Sequence, residues 1–401
     1  MTVKQIYELM NNVTSEVLGK TDLVAEDLSN VVDVGTEVFN ASAVDNYVKT
    51  LVNHIGKVIF VNRPYSGKIP SVLMDSWEFG SVLEKISCDT PAAEENESWD
   101  LVDGQEYKQD IFYKPTVSAK FFNSKVTFEV PMSFTEKQVK ESFSNAAQLN
   151  GFISMIYNAV DRSMTIKIDG LVMRTINSMI AQTLNADKTA FAGGYGTAST
   201  ARCVNLLKLY NDKFFPATGS TANPDALTAD KAIYDPDFIR FASYTMGVYV
   251  DRLASISTLF NVGGKDRFTD SANLHVIMLS DFAKGADVYL QSDVRHNEMT
   301  RLPNYETIPY WQGSGQNYEF DSTSAINVKI DASTTVDIDG IVGVMFDRDA
   351  LGVSNLDRRV TTAYNAKAEF FNNYYKFDAG YFNDTNENFV VFFVSDAKTA
   401  G

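Results

Sequence analysis

The apolar periodicity between residues 139 and 180 constrains the fold of this chain more than any other feature of its sequence. Apolar side chains recur there every three or four residues, which is the spacing of one helix face. The residues of the pattern are Val139, Phe143, Ala146, Leu149, Ile153, Ile156, Val160, Met164, Ile168, Leu171, Val172, Ile176 and Ile180. It predicts a helix over about 145–184, with a break near Asn145. At about 1.5 Å per residue the helix would be about 60 Å long, so it has to be the backbone of an elongated domain.

The segments that flank this helix predict a mixture of strands and further helices. Val126, Phe128 and Val130 alternate with polar residues as in a half-buried strand, and Thr135 with Gln138 forms a capping box at a helix start. Strands are also predicted at 274–279, 326–330 and 341–346, and helices at 238–260 and 281–290. The aromatic segment 370–382 and the apolar segment 389–394 predict a C-terminal hairpin that the long helix covers. The fold class is therefore α+β, with an α/β domain at about 200–350 inserted into the first domain.

One acidic segment stands apart from the rest of the chain. Residues 84–110 hold nine acidic residues and two lysines, so they contribute −7 of the formal net charge of −16. Such a segment cannot bury a core by itself, yet Trp77, Phe79, Trp99 and Tyr107 lie in or beside it. These aromatic residues favour an extended loop that lies on another surface. The alternative is a solvated acidic loop with scattered aromatic residues.

The candidate contact residues come from this segment and from four arginines elsewhere. The acidic and aromatic candidates are Trp77, Phe79, Glu94, Glu95, Glu97, Trp99 and Asp100. The candidates for the receiving side are Arg240, Arg252, Arg358 and Arg359. Charge complementarity between two subunits would fix their register more than their affinity. The alternative for each arginine is a solvated surface position.

The sequence disfavours most functions that depend on a chemical site. The 401 residues include three histidines far apart, and no metal-binding, nucleophile-elbow or complete dinucleotide motif occurs. His275 is expected to be a hydrogen-bonded core residue, and Cys88 and Cys203 are expected to be free, buried thiols. No catalytic, cofactor-binding or metal-binding residue is therefore predicted.

Net charge and hydropathy point to a soluble protein made in a cytoplasm. The chain has 51 acidic and 35 basic residues, and this negative net charge argues against electrostatic binding to DNA or to an anionic membrane. The N-terminus lacks a secretory signal, and no run approaches the roughly 18 apolar residues of a membrane helix.

The chain resembles the major capsid protein of tailed bacteriophages, and most of all the capsid proteins of phages that infect Gram-positive bacteria. The resemblance lies in the order of its parts, which are an arm, an acidic loop, a strand, a long helix, an inserted α/β domain and returning aromatic strands. The blocks that carry the resemblance are residues 47–59, 139–160, 273–279, 344–351, 370–382 and 389–394. It implies the tailed-phage capsid protein fold (Johnson fold). The implied parts are an N-terminal arm (1–46), a peripheral domain with its spine helix (47–61, 129–190 and 352–401), an extended loop (62–128) and an axial domain (191–351).

The resemblance also implies a function and a set of partners. Copies of the chain would form pentamers and hexamers and close into an icosahedral or prolate shell around packaged double-stranded DNA. Assembly would take place in the host cytoplasm with a separate scaffolding protein, a portal protein and in some heads a decoration protein, with weak contact to DNA and none to a membrane. Some relatives link Lys to Asn covalently, and Lys68 or Lys85 lies in the corresponding loop, but the sequence shows no acceptor.

Three other interpretations of the function remain open. An encapsulin-like compartment shell would share the fold and hold enzymes in place of DNA. A surface adhesin or glycan-binding protein is suggested only by the many Tyr, Trp and Asn residues. An enzyme of unrecognised type would show pocket residues with shifted ionisation.

Overall fold

A computed structural model of the chain contains helices, strands and two compact units. The structure describes residues 3–19, 24–40, 46–47, 50–51, 69–74, 83–88, 91, 93–107, 110, 112–142, 144–191, 194–218, 223–291, 302, 305–312 and 319–396. The helices are α1 (Val3–Leu18), α2 (Val31–Asn40), α3 (Glu136–Ser142), α4 (Ala146–Ala186), α5 (Leu206–Phe214), α6 (Ala229–Ala232), α7 (Pro236–Ala254), α8 (Ser280–Gln291) and α9 (Phe320–Thr323).

The strands follow the same order along the chain. They are β1 (Leu73–Met74), β2 (Leu83–Cys88), β3 (Val117–Phe122), β4 (Lys125–Thr135), β5 (Cys203–Asn205), β6 (Leu274–Leu279), β7 (Tyr305–Ile308), β8 (Ile326–Lys329), β9 (Thr335–Ile338), β10 (Ile341–Asp347), β11 (Leu351–Asn365), β12 (Phe370–Asn383) and β13 (Phe389–Phe393). Unit 1 comprises Met1–Phe79, Ser124–Val172 and Val353–Gly380, and unit 2 comprises Gly80–Asn123, Met173–Gly352 and Tyr381–Gly401.

The long helix occupies the segment whose periodicity predicted it. Helix α4 has 41 residues, and the positions of the predicted apolar face from Leu149 to Ile180 are buried. It begins after a break, because the Asn145 side chain caps it by accepting a hydrogen bond from the Gln148 amide at 2.8 Å. Residues up to Val172 belong to unit 1, and those from Met173 onward belong to unit 2.

Unit 1 is built on a four-stranded sheet with the order β1-β11-β12-β4. Strands β12 and β4 pair antiparallel from Phe370 opposite Thr135 to Gly380 opposite Lys125. The predicted capping box is confirmed at the end of β4. The Gln138 amide donates to Thr135 Oγ1 at 3.2 Å, and the Thr135 amide donates to Gln138 Oε1 at 2.9 Å.

Unit 2 is built on a five-stranded sheet with the order β5-β13-β10-β6-β7. Strands β10 and β13 are buried along nearly their whole length, as expected for central strands covered on both faces. Helix α7 starts earlier than its apolar pattern indicates, because Asp235 accepts a hydrogen bond from the Phe238 amide at 2.8 Å and Pro236 occupies the first turn.

The expectation of a C-terminal hairpin is wrong. Strand β12 pairs with β4 in the unit 1 sheet, whereas β13 pairs with β10 and β5 in the unit 2 sheet. The burial patterns show why the two strands separate. Residues of β12 alternate between buried and half-buried, whereas all five residues of β13 are buried. The turn at 384–388 therefore carries the chain from one sheet to the other.

Helix α1 in the N-terminal segment has a buried apolar face. In α1, Ile6, Leu9, Met10 and Val13 are at most 2% exposed, and the Tyr47 hydroxyl lies 3.7 Å from the Met10 sulfur. The division into arm, extended loop, peripheral domain and axial domain stays a prediction, because the two compact units do not correspond to these four regions segment by segment.

Candidate assembly surface

Strands β2 and β3 form a two-stranded antiparallel hairpin in unit 2. Leu83 pairs with Phe122 at its base, and Cys88 pairs with Val117 at its far end. We call residues 83–122 the extended hairpin. Its described tip residues, between Cys88 and Val117, include no strand, and a short 3-10 turn covers Glu97–Trp99.

The extended hairpin concentrates exposed apolar side chains. Within the described part of the chain, nine of the 21 exposed large apolar residues lie in this tenth of the sequence. They are Ile86, Trp99, Leu101, Val102, Tyr107, Phe112, Tyr113, Val117 and Phe121. Trp99 is 96% exposed and Phe112 is 86% exposed. Burying one such side chain stabilises a complex by about 1.5–3 kcal/mol, so their concentration in one segment makes the extended hairpin a candidate contact surface.

The acidic candidates lie on the same tip. Glu94, Glu95 and Asp100 are exposed there, beside Trp99. Glu97 begins the 3-10 turn. Trp77 and Phe79 lie outside the described residues, so their predicted role in contacts stays a prediction. The tip therefore combines negative charge with exposed aromatic rings, which is the combination that the sequence predicts.

Three of the four candidate arginines have partners on their own chain. Arg240 forms an exposed ion pair with Asp237 at 3.1 Å on α7, and the Arg252 guanidinium lies 5.1 Å from the centre of the Tyr249 ring. Arg359 binds Asp378 in unit 1 through two contacts of 2.8 and 3.4 Å. This guanidinium holds the pKa of Asp378 below its usual value.

The role of these arginines as receivers of the acidic tip stays a prediction. An acidic residue from another copy would have to compete with Asp378 for Arg359. The side chain of Arg358 lies outside the described residues.

A group of charged residues that the sequence analysis missed surrounds the base of the extended hairpin. Lys85 Nζ lies 3.1 Å from Asp384 Oδ2 and 2.8 Å from Glu387 Oε1. Lys120 Nζ lies 2.9 Å from Asp384 Oδ1, and Arg267 Nε lies 3.1 Å from Glu387 Oε1. We call these five residues the basal ion cluster. No local sequence signal could have identified it, because up to 302 positions separate its members along the chain.

The two cysteines and one of the three histidines lie within the described part of the chain. Cys203 is buried as expected, and burial raises the pKa of its thiol. The expectation for Cys88 is wrong, because this residue is exposed at the end of β2. His54 and His296 lie outside the described residues. Among the residues that the structure describes, no group of His, Cys, Asp and Glu could hold a metal ion.

His275 lies in β6 with its ring stacked on Phe346 at 5.9 Å. Its Nδ1 atom is buried without a hydrogen-bond partner in the described structure, so the expected hydrogen bond is not found at that atom. Burial, assisted by Arg348 and opposed by Asp347, lowers the pKa of His275.

This lowered pKa predicts a pH-dependent stability. The unfolded chain takes up the proton first as the pH falls, so the stabilisation is complete above about pH 6.5 and decreases as the pH falls through that value. We expect His275→Phe to lose less thermal stability than the wild-type protein between about pH 7.5 and pH 5.5. Melting temperatures measured by calorimetry over this range check the prediction. Parallel curves for the two proteins would contradict it.

None of the described helices combines the length and apolarity that a bilayer crossing requires.

Comparisons with known proteins give a family and a fold. The family model for the Phi29-like phage major capsid protein matches residues 10–393. The solved structure "Capsid structure of Staphylococcus phage Andhra" is similar with a TM-score of 0.50 and 8% identity, over 84% of this chain and 87% of that chain. A structure from bacteriophage P68, titled as head fiber and inner core protein, gives a TM-score of 0.49 and 7% identity, over 83% and 86% of the two chains. No curated protein matches the chain significantly.

Proposed function

The chain belongs to the Phi29-like phage major capsid protein family, and we propose that each copy lays its extended hairpin over a neighbouring copy to build the shell. The family establishes that the protein is a structural capsid component of the virion that assembles with copies of itself. It does not favour a compartment shell that holds enzymes, or a surface adhesin. The structure agrees with the tailed-phage capsid fold (Johnson fold).

The exposed apolar tip of the extended hairpin is the observation that carries this proposal. Trp99, Phe112 and Tyr113 are each more than two thirds exposed, which is costly for a surface that never meets a partner. A second copy is the occupant that the family supplies, because capsid subunits tile against one another. Many weak contacts of this kind suffice, since every subunit makes the same contact with its neighbour.

The regional roles follow from the same premise. We propose that residues 1–46 serve as the N-terminal arm and 62–128 as the extended loop. The peripheral domain would comprise 47–61, 129–190 and 352–401, and the axial domain would comprise 191–351. Copies of the axial domain would meet around the axes of pentamers and hexamers.

The remaining partners are proposed from chemistry and from the family. The net charge of −16 per subunit leaves the wall weakly interacting with packaged double-stranded DNA, which helps its later release. Assembly would take place in the host cytoplasm with a separate scaffolding protein and a portal protein, and in some heads with a decoration protein.

The test is particle formation by the purified chain, alone and with the scaffolding protein of the same phage. We expect closed particles of megadalton size in electron microscopy and in size-exclusion chromatography. Shells of the correct size from the chain alone would remove the need for a separate scaffolding protein. A monomer at every concentration, even with the companion phage proteins, would contradict the proposed function.

A further inference from the structure

The two lysines of the basal ion cluster lie directly opposite each other in the extended hairpin. Lys85 of β2 pairs with Lys120 of β3 in the antiparallel register. Side chains at such positions lie about 5 Å apart at their Cβ atoms, and like charges there destabilise the pairing. The hairpin base therefore requires negative charge from outside the hairpin.

The turn between β12 and β13 supplies that charge. The two oxygens of Asp384 contact one lysine each, at 3.1 Å to Lys85 and 2.9 Å to Lys120. The Asp384 side chain is 2% exposed, so water screens these contacts poorly. Glu387 contacts Lys85 at 2.8 Å and joins it to Arg267. One carboxylate thus bridges both strands of the hairpin.

The turn that carries the two carboxylates is itself held to the core of unit 2. The Asp384 amide donates to the Ala350 carbonyl at 2.6 Å, and the Phe389 amide donates to the Phe260 carbonyl at 2.9 Å. The buried strand β13 begins at Phe389. Lys85 also donates to the Asp349 carbonyl at 3.4 Å. The cluster therefore connects the hairpin base to well-anchored backbone.

Lys85 and Asp384 both stay charged near neutral pH. Burial opposes the charged form of Lys85, but Glu387 and Asp384 outweigh it and raise the pKa of this lysine. Burial likewise opposes ionisation of Asp384, but Lys120, the Asn386 amide and Lys85 together lower its pKa.

We propose that the basal ion cluster is an ionic clamp that fixes the direction of the extended hairpin before a neighbouring copy binds. The clamp positions the exposed tip and contributes no contact to the neighbour. This inference rests on the proposed function, since the direction of the hairpin matters only if the hairpin reaches another copy. Loss of about 1.4 kcal/mol in favour of the correct direction lowers the ratio of correctly to incorrectly directed hairpins roughly tenfold.

Two variants break the clamp in different ways. Asp384→Asn removes the shared charge, keeps nearly the same shape, and leaves the two lysines opposed. Lys120→Glu places a carboxylate opposite Lys85, and this opposite charge favours strand pairing. The new carboxylate also lies beside Asp384, and the two negative charges repel each other. This second change is at a side chain that is 37% exposed, so the subunit is expected to fold. Asp212→Asn is the matched control, because Asp212 forms an exposed pair with Lys208 on α5.

The direction of the hairpin is measured on unassembled subunits by pulsed electron paramagnetic resonance. One spin label is attached to the exposed thiol of Cys88, and the other to a cysteine that replaces the exposed Lys284 of α8. We expect a narrow distance distribution in the wild-type protein and in Asp212→Asn. Both clamp variants are expected to give a clearly broader distribution and a marked loss of regular shells, because every shell needs many correctly directed hairpins.

Each result decides one part of the inference. Narrow distributions in both clamp variants would overturn the clamp. Broad distributions with a normal yield of regular shells would overturn its role in assembly. If the wild-type protein itself forms no shells, the proposed function fails, but the distance measurement still decides whether the clamp exists.

Discussion

Replacing residues 89–116 by a four-residue Gly-Ser linker is expected to abolish shell formation and to leave the subunit folded. The replacement removes six of the nine exposed apolar residues of the extended hairpin, including Trp99 and Phe112. At about 1.5–3 kcal/mol for each side chain that a neighbour would bury, the loss exceeds what a weak repeated contact can tolerate. Cys88 and Val117 are paired across the hairpin, so a short linker can join them.

Electron microscopy and size-exclusion chromatography of the deletion variant check this prediction, and calorimetry confirms the folded state. Two finer variants separate apolar contact from charge. Trp99→Ser with Phe112→Ser is expected to prevent assembly nearly as well as the deletion. Glu94→Gln with Glu95→Gln is expected to change the assembly rate and its salt dependence while shells still form, because peripheral charges act mainly on association. Normal shells from the deletion variant would show that the hairpin makes no essential contact.

Replacing Gly340 by alanine is expected to destabilise unit 2 by about 2–5 kcal/mol. Gly340 has a φ of +81°, and a Cβ atom there would lie 1.9 Å from the carbonyl oxygen of Val394. This close approach is part of the structure, because the Val394 amide donates to the Gly340 carbonyl at 2.8 Å and the Gly340 amide donates to Ser324 Oγ. Alanine would distort the entry into the central strand β10.

The melting temperature of the Gly340→Ala variant should fall by roughly 10 °C, at about 2–4 °C for each kcal/mol. Gly247→Ala is the matched control in the same unit. Gly247 lies inside α7 without a positive φ, and apart from the adjacent residues and the backbone of its own helix turn, no described atom lies within 4 Å of the position a Cβ would take. Alanine there is expected to raise stability by up to about 1 kcal/mol. Equal melting temperatures for Gly340→Ala and the wild-type protein would contradict the argument.

The fold elements that could be predicted are those whose signal is local. The capping box of Thr135 and Gln138 and the helix break at Asn145 depend on side chains within three residues of the amides they bind. The long helix depends on a spacing that repeats over forty residues. The resemblance to phage capsid proteins rests on the same local patterns in a particular order, and the family model confirms it.

The candidate site divides in the same way. Its tip could be predicted, because acidic residues and aromatic rings are dense in one segment and leave no means of building a core there. Its base could not, because Lys85 and Asp384 are 299 positions apart and each resembles an ordinary surface residue. The wrong prediction of a C-terminal hairpin has the same origin. Two aromatic strands next to each other in sequence pair with each other unless each strand finds a better partner elsewhere in the chain.

The order of residues by itself predicted the long helix, the capping box and several strands, and it singled out residues 84–110 as the segment that we propose to meet another surface. Periodicity, caps and charge density act over a few residues, so they can be read along the chain. Only the tertiary structure decided that β12 and β13 join different sheets and that Asp384 lies between two lysines. Those outcomes depend on which distant segments bury the most apolar surface against each other. All pairs of segments compete for this burial, so the outcome cannot be predicted from any single stretch of sequence.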